Sequence, residues 1–121
     1  MSGMKRGKKE INNVQEKRHC LVPVPFSDNK NRKVRPALVI SGEEVHSTGD
    51  AIIVQITSKN KSDSLSIEIN DKDITKQLPV KSFIRCHKIF VLEQNLIIEK
   101  ISELKANKYK SVVRKINEII K

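Results

Sequence analysis

Between residues 21 and 92 every sizeable apolar run is short, and no helical crossover separates one run from the next. The segments LVPVPF (21–26), ALVIS (37–41), AIIVQIT (51–57), LSIEI (65–69) and SFIRCHKIFVL (82–92) read as strands, each bounded by polar, glycine or proline residues. Helical spacing comes only after the last of them. Leu104, Tyr109, Val112, Val113, Ile116, Ile119 and Ile120 recur every three to four residues, with Ser102 as the expected N-cap. Parallel strands need a long crossover, usually a helix, and this chain has no room for one. The pattern predicts a mainly β protein: a small, strongly curved antiparallel barrel or sheet with a C-terminal α-helix packed at its end.

Local chemistry refines this outline. Pro23 and Pro25 share parity and remove two amide donors from one side of the first strand, which confines it to a sheet edge or turns that side away from any partner. Residues 51–57 are apolar enough to be buried on both faces, whereas Leu65, Ile67 and Ile69 alternate and face inward. By composition, residues 27–34 and 42–50 are loops and Asp71 to Leu78 a turn. Residues 1–19 form a basic polar arm, in which a helix across 8–18 would bury too little to stand alone. Residues 20–121 are expected to make one domain, since 121 residues suit a single core.

That core must be aliphatic, because Trp is absent and Phe and Tyr together number four. No apolar run approaches the length of a membrane span, and the lysine-rich N-terminus lacks the apolar stretch of a secretory signal. Cys20 and Cys86 match neither a disulfide framework nor a CxxC site, so the expectation is a cytoplasmic protein with free thiols.

The net charge is +10. Residues 1–27 carry six basic and two acidic side chains, 28–35 four and one, 36–98 seven and eight, and 99–121 seven and three. Basic ends and one basic loop around a balanced middle favour a polyanionic partner, nucleic acid or an acidic protein segment. The basic stretches lack interleaved large apolar residues, so a membrane surface is not the expected partner.

Reactive or anion-binding groups sit at three strand edges. Arg35 follows Lys30, Arg32 and Lys33 and precedes Pro36, which presets its backbone and offers a fixed fork for phosphate. Thr57-Ser58-Lys59-Asn60 ends the most apolar strand in hydroxyls, a cation and an amide; those hydroxyls can donate to a phosphate or simply bond a turn. Arg85 and His87 share parity on the long strand and should point the same way, with Ile84, Cys86 and Lys88 pointing the other. His19 and His46 have no motif around them. No His, Cys, Asp or Glu grouping has metal-ligand spacing, no cofactor is implied, and the GxxxxGK[ST], GxGxxG and GxSxG signatures are absent.

Taken together, VPVPFSD (22–28), RPALVIS (35–41), IIVQITSK (52–59), LPVKSFIRCHKIFVL (78–92) and the helical tail resemble the MazF/PemK family of toxin–antitoxin ribonucleases. The resemblance implies an SH3-like barrel, a homodimer, and metal-independent, sequence-selective cleavage of single-stranded RNA. It also implies inhibition by a cognate antitoxin with an acidic segment. It places the family's catalytic Arg on Arg35 and its active-site Thr on Thr57. Arg85 takes the place of a further Arg, and His87 stands where many relatives carry Asp. Lys33, Ser58 and Lys59 fall where RNA would be contacted. The usual Gly-Asp/Glu-Ile/Val opening is replaced by Lys17-Arg18-His19-Cys20.

The chemistry is readable from the residues as well. RNA is cut when its own 2′-oxygen attacks the adjacent phosphate, which needs a base, an acid and cations for the developing charge. Arg35 and Arg85 would supply charge, Thr57 would hold a non-bridging oxygen, and His87 would move the proton. The competing expectations are a catalytically impaired relative that binds nucleic acid or antitoxin, and a toxin that binds a protein target through the same barrel.

Overall fold

The computed structural model describes residues 18–28, 31–59 and 62–121. The basic arm expected over 1–19 lies outside the described residues apart from Arg18 and His19, and so does most of the helix weighed across 8–18. Six strands form one antiparallel sheet: β1 (Cys20–Asp28), β2 (Asn31–Val39), β3 (Asp50–Thr57), β4 (Ser66–Ile69), β5 (Ser82–Glu93) and β6 (Ser102–Glu103). Their spatial order is β4-β5-β3-β2-β1-β6. A one-turn helix, α1 (Glu43–His46), joins β2 to β3, and α2 (Ala106–Ile119) follows β6. The expected mainly β, antiparallel fold with a C-terminal helix is the one observed, curled into a half-barrel.

Alternate residues of the central strands divide between two apolar clusters. Leu21, Leu38, Val54, Ile56, Ile84 and Cys86 pack with Val112 and Ile116 of α2. Cys20, Val22, Val24, Ala37, Val39, Ala51 and Ile53 pack with Ile97 from the segment after β5. The central strand β3 thus buries both faces, as its apolar run predicts. Fully burying one such aliphatic side chain contributes about 1.5–3 kcal/mol, so these two layers dominate the folding energy.

The prolines decide where pairing stops. The Ile40 amide donates to the Ile52 carbonyl at 3.0 Å, so even-numbered residues of β2 direct their polar groups at β3. Pro36 has no amide to give, and the β2–β3 ladder ends at Ala37↔Gln55. On β1, Pro23 and Pro25 lie beyond the two-residue pairing with β6, where their missing donors face no strand. Of the two placements expected for this segment, the second is the one observed: β6 lies outside β1, but the donor side at the prolines faces no partner strand.

Several expectations need correction, and the expected loop at 42–50 is one, since Glu43–His46 within it is helical. Residues 27–28 and 31–34 are strand, not loop: β1 and β2 pair without a break from Leu21↔Leu38 to Asp28↔Asn31. A two-stranded ribbon that leaves the sheet has no core to face, so its sequence is as polar as a loop. Ser102 does not cap a helix. Its hydroxyl accepts the Lys76 amide at 2.9 Å and donates to the Lys76 carbonyl at 2.7 Å, and α2 begins at Ala106. Leu104 is buried in a bridge to Ile74 rather than in the helical stripe.

The entry to β1 is tied to α2. His19 lies in the left-handed region (φ 81°), at a backbone cost of about 1–2 kcal/mol. Its amide donates to the Val39 carbonyl at 3.0 Å and its carbonyl accepts the Leu104 amide at 2.7 Å. Its ring packs against Tyr109 with centroids 3.9 Å apart and the ring planes tilted by 41°, and the Tyr109 hydroxyl donates to the Ile40 carbonyl at 2.7 Å.

Both cysteines are buried thiols outside any disulfide among the described residues, Cys20 in one cluster and Cys86 in the other. Burial pushes the Cys86 thiol up to about 11, against a smaller opposing effect of the Lys115 charge. At pH 8 Cys86 should resist a disulfide-exchange reagent in the native protein and react at once in guanidinium, because only the thiolate attacks. Rapid labelling of native Cys86 would contradict the packing described.

Candidate active site

The loss of the Pro36 amide has a structural consequence. Beyond it β2 and β3 separate, and a cleft of roughly 550 Å³ opens between Lys33–Pro36 on one side and Ile56–Lys59 on the other. Leu78, Pro79 and Val80, which lead into β5, form a further wall with Ser82 and Ile101. Five of the residues singled out from the sequence (Lys33, Arg35, Thr57, Ser58 and Lys59) line this one cleft.

Its electrostatics are one-sided. No Asp or Glu lines the cleft, and none of its cations, Lys33, Arg35 and Lys59, is ion-paired among the described residues. Cations left without local partners in a partly apolar cleft favour an anionic occupant. Among the described residues no aromatic side chain lines it either, so grip by charge and polar contacts, not ring stacking, is what the cleft offers.

Continuing the β2–β3 register past Pro36 sets Arg35 opposite Thr57. The Thr57 Oγ1 accepts the Lys59 amide at 3.2 Å. Both functions raised for this hydroxyl are therefore compatible: as acceptor it orders the turn, and its own proton remains available to donate to an oxygen in the cleft.

Arg85 and His87 do not line the cleft; they stand beside it. Thr57 pairs with Phe83, and Arg85 is two residues further along β5 on the same sheet face. Such diagonal neighbours have backbones about 7–8 Å apart. Arg85 Nη2 lies 3.4 Å from His87 Nε2, so the two side chains do point the same way. Lys88 departs from the expected alternation: Ile84 and Cys86 are buried, but Lys88 is exposed. The cause is a bulge, since Val54 pairs with Ile89 and Ile56 with Ile84, leaving β5 with surplus residues between them.

A third group joins this pair. Asp63, from the loop between β3 and β4, places Oδ2 3.9 Å from Arg85 Nη2. Desolvation would raise its carboxyl, but the hydrogen bond from the Leu65 amide, with the charges of Arg85 and His87, holds it below the ordinary range. Nothing in the sequence marks Asp63 apart from other polar loop residues; only the fold brings it to Arg85. His46, without a motif in the sequence, is a buried structural residue whose Nε2 lies 2.7 Å from Ser41 Oγ.

Among the described residues, no group of three or more His, Cys, Asp or Glu is placed to hold a metal ion, and no helix is long and apolar enough to cross a membrane.

A small curled antiparallel sheet with a C-terminal helix thus carries a cation-lined cleft whose charge suits an anionic occupant. The chain belongs to the PemK-like, MazF-like toxin family of type II toxin–antitoxin systems, whose profile matches residues 17–120. No curated protein is matched by the sequence. The fold is shared with MazE–MazF from Deinococcus radiodurans (Form-II), with a TM-score of 0.71, 20% identity, and coverage of 85% of this chain and 93% of that one. The Mycobacterium tuberculosis toxin MazF-mt6 aligns with a TM-score of 0.66 and 16% identity over 82% of this chain and 93% of its own. A mycobacterial endoribonuclease in complex with its cognate antitoxin aligns with a TM-score of 0.60 and 17% identity over 83% and 85%.

Proposed function

We propose that this chain is the toxin of a type II toxin–antitoxin pair and a cytoplasmic endoribonuclease that cuts single-stranded RNA without a metal ion. Family membership and the endoribonuclease among its structural neighbours support the reading. The observation that carries it is the cleft itself: Arg35 and Thr57 both line it beyond the end of the β2–β3 ladder, with no carboxylate from the described residues in the lining.

In this reading the RNA backbone lies in the cleft and is held by Lys33, Ser58 and Lys59. The imidazole of His87 takes the proton of a 2′-hydroxyl, and the 2′-oxygen attacks the adjacent phosphorus. The bond from phosphorus to the 5′-oxygen breaks, the leaving oxygen takes up a proton, and a 2′,3′-cyclic phosphate remains. Arg35 and Arg85 offset the charge that builds on the phosphoryl oxygens, and Thr57 donates to one of them. Such fixed donors cost no reorganisation during reaction, which is why cations set on strands suit this chemistry better than mobile ones.

The same cleft would accept the acidic segment of a cognate antitoxin by charge. A homodimer belongs to this reading, and the exposed Phe90, Val91, Leu96 and Ile98 on and after the distal half of β5 support it.

The test is incubation of the purified protein with a long single-stranded RNA in EDTA. Discrete fragments are expected. Retention of RNA without cleavage would instead identify a binding-only relative, and RNA neither bound nor cut would direct attention to a protein target.

A further inference from the structure

We propose that Asp63 is a positioning residue of the ribonuclease site, its carboxylate holding the Arg85 guanidinium and the His87 imidazole in one constellation beside the cleft. The inference rests on the functional reading above and deepens it.

Asp63 is itself held in place. Its Oδ1 accepts the Leu65 amide at 3.0 Å, a local turn that leaves Oδ2 directed at Arg85. Arg85 is the less exposed partner, at 16% against 42% for Asp63. Arg85 in turn reaches His87, and the register places Ser66 of β4 directly opposite Arg85. Three charged or titratable groups from a loop and one strand thus converge without any other ion pair to Arg85 among the described residues.

The commitments of Arg85 show what the arrangement is for. A guanidinium has five N–H donors, and both contacts run through Nη2. Nε is buried and has no hydrogen-bond partner among the described residues. Buried polar groups are normally satisfied, and those left open in a native fold mark places held ready for a ligand or for chemistry. Here the guanidinium is partly desolvated and fixed on one side, with its remaining donors uncommitted. A phosphate meeting such a fork gains more than it would from a solvated Arg.

Among the described residues, Arg85 on its own strand and Asp63 from the β3–β4 loop are the charged groups beside His87. Removing a carboxylate from beside an imidazole disfavours the imidazole's charged form.

Two measurements on Asp63→Asn and Asp63→Glu decide the matter. Asn retains an oxygen for the Leu65 amide but removes the charge. Following the His87 imidazole by NMR across pH, the midpoint should move lower in Asp63→Asn and stay near the parent in Asp63→Glu. With an oligoribonucleotide, Asp63→Asn should lower kcat about tenfold with KM within twofold, and Asp63→Glu should recover most of the loss. An unmoved imidazole midpoint would overturn the proposal, as would a loss confined to KM or a kcat equal to the parent's. If the parent protein fails to cut RNA, the functional reading fails on that result, while the imidazole titration still decides whether Asp63 organises the pair.

Discussion

Arg35→Ala is expected to reduce RNA cleavage by about 10²–10³-fold, the usual cost of removing one fixed donor to the charge of a transition state. The loss should appear in kcat as well as in KM, because the guanidinium meets more negative charge in the transition state than in bound RNA. Folding should be little changed. Arg35 makes no ion pair among the described residues, and its backbone is extended by the following Pro36 whatever its side chain. The checking measurements are single-turnover cleavage beside a thermal melt of the same preparation. Arg35→Lys should recover only part of the rate, since an ammonium restores charge but not the two-pronged geometry. Cleavage within twofold of the parent in Arg35→Ala would remove this residue from the site.

His87→Asn should lower the rate by about 10²–10⁴-fold at neutral pH, the range over which a positioned acid or base acts. Asn keeps a side chain of similar reach but cannot exchange a proton. His87 is exposed on β5 and contributes nothing to either apolar cluster, so the variant should fold as the parent does. Cleavage within twofold of the parent in His87→Asn would remove this residue from the chemistry.

Much of this architecture is legible in the chain because its cues are local. Short aliphatic runs with polar bounds locate β3, β4 and β5, and helical spacing of Val112 and Ile116 locates the packed face of α2. The parity of Pro23 and Pro25 indicates a donor side that faces no partner strand, and Arg35, Thr57 and their neighbours stand out as polar groups terminating apolar segments. What escapes is set by distant partners. Composition cannot distinguish a polar hairpin ribbon from a loop, which hides the continuation of β1 and β2 to Asp28 and Asn31. A serine before a helix reads as a cap, yet Ser102 is claimed by the Lys76 backbone from another segment. The β5 bulge, which exposes Lys88, follows from registry with β3 and not from anything in SFIRCHKIFVL alone. Asp63 belongs to the same category: its importance comes from where Arg85 is brought by strand pairing. The candidate site is thus half local motif and half consequence of the fold.

The most direct test of the central claim is the chemistry at the cut. An oligoribonucleotide containing the preferred site is incubated with the protein in EDTA, and the ends are read by mass spectrometry beside a copy bearing one 2′-deoxy sugar at the scissile position. The account predicts a 2′,3′-cyclic phosphate on the upstream fragment, a free 5′-hydroxyl on the downstream one, and an intact deoxy copy. Cleavage of the deoxy copy, a 5′-phosphate end, or activity that EDTA abolishes would contradict it.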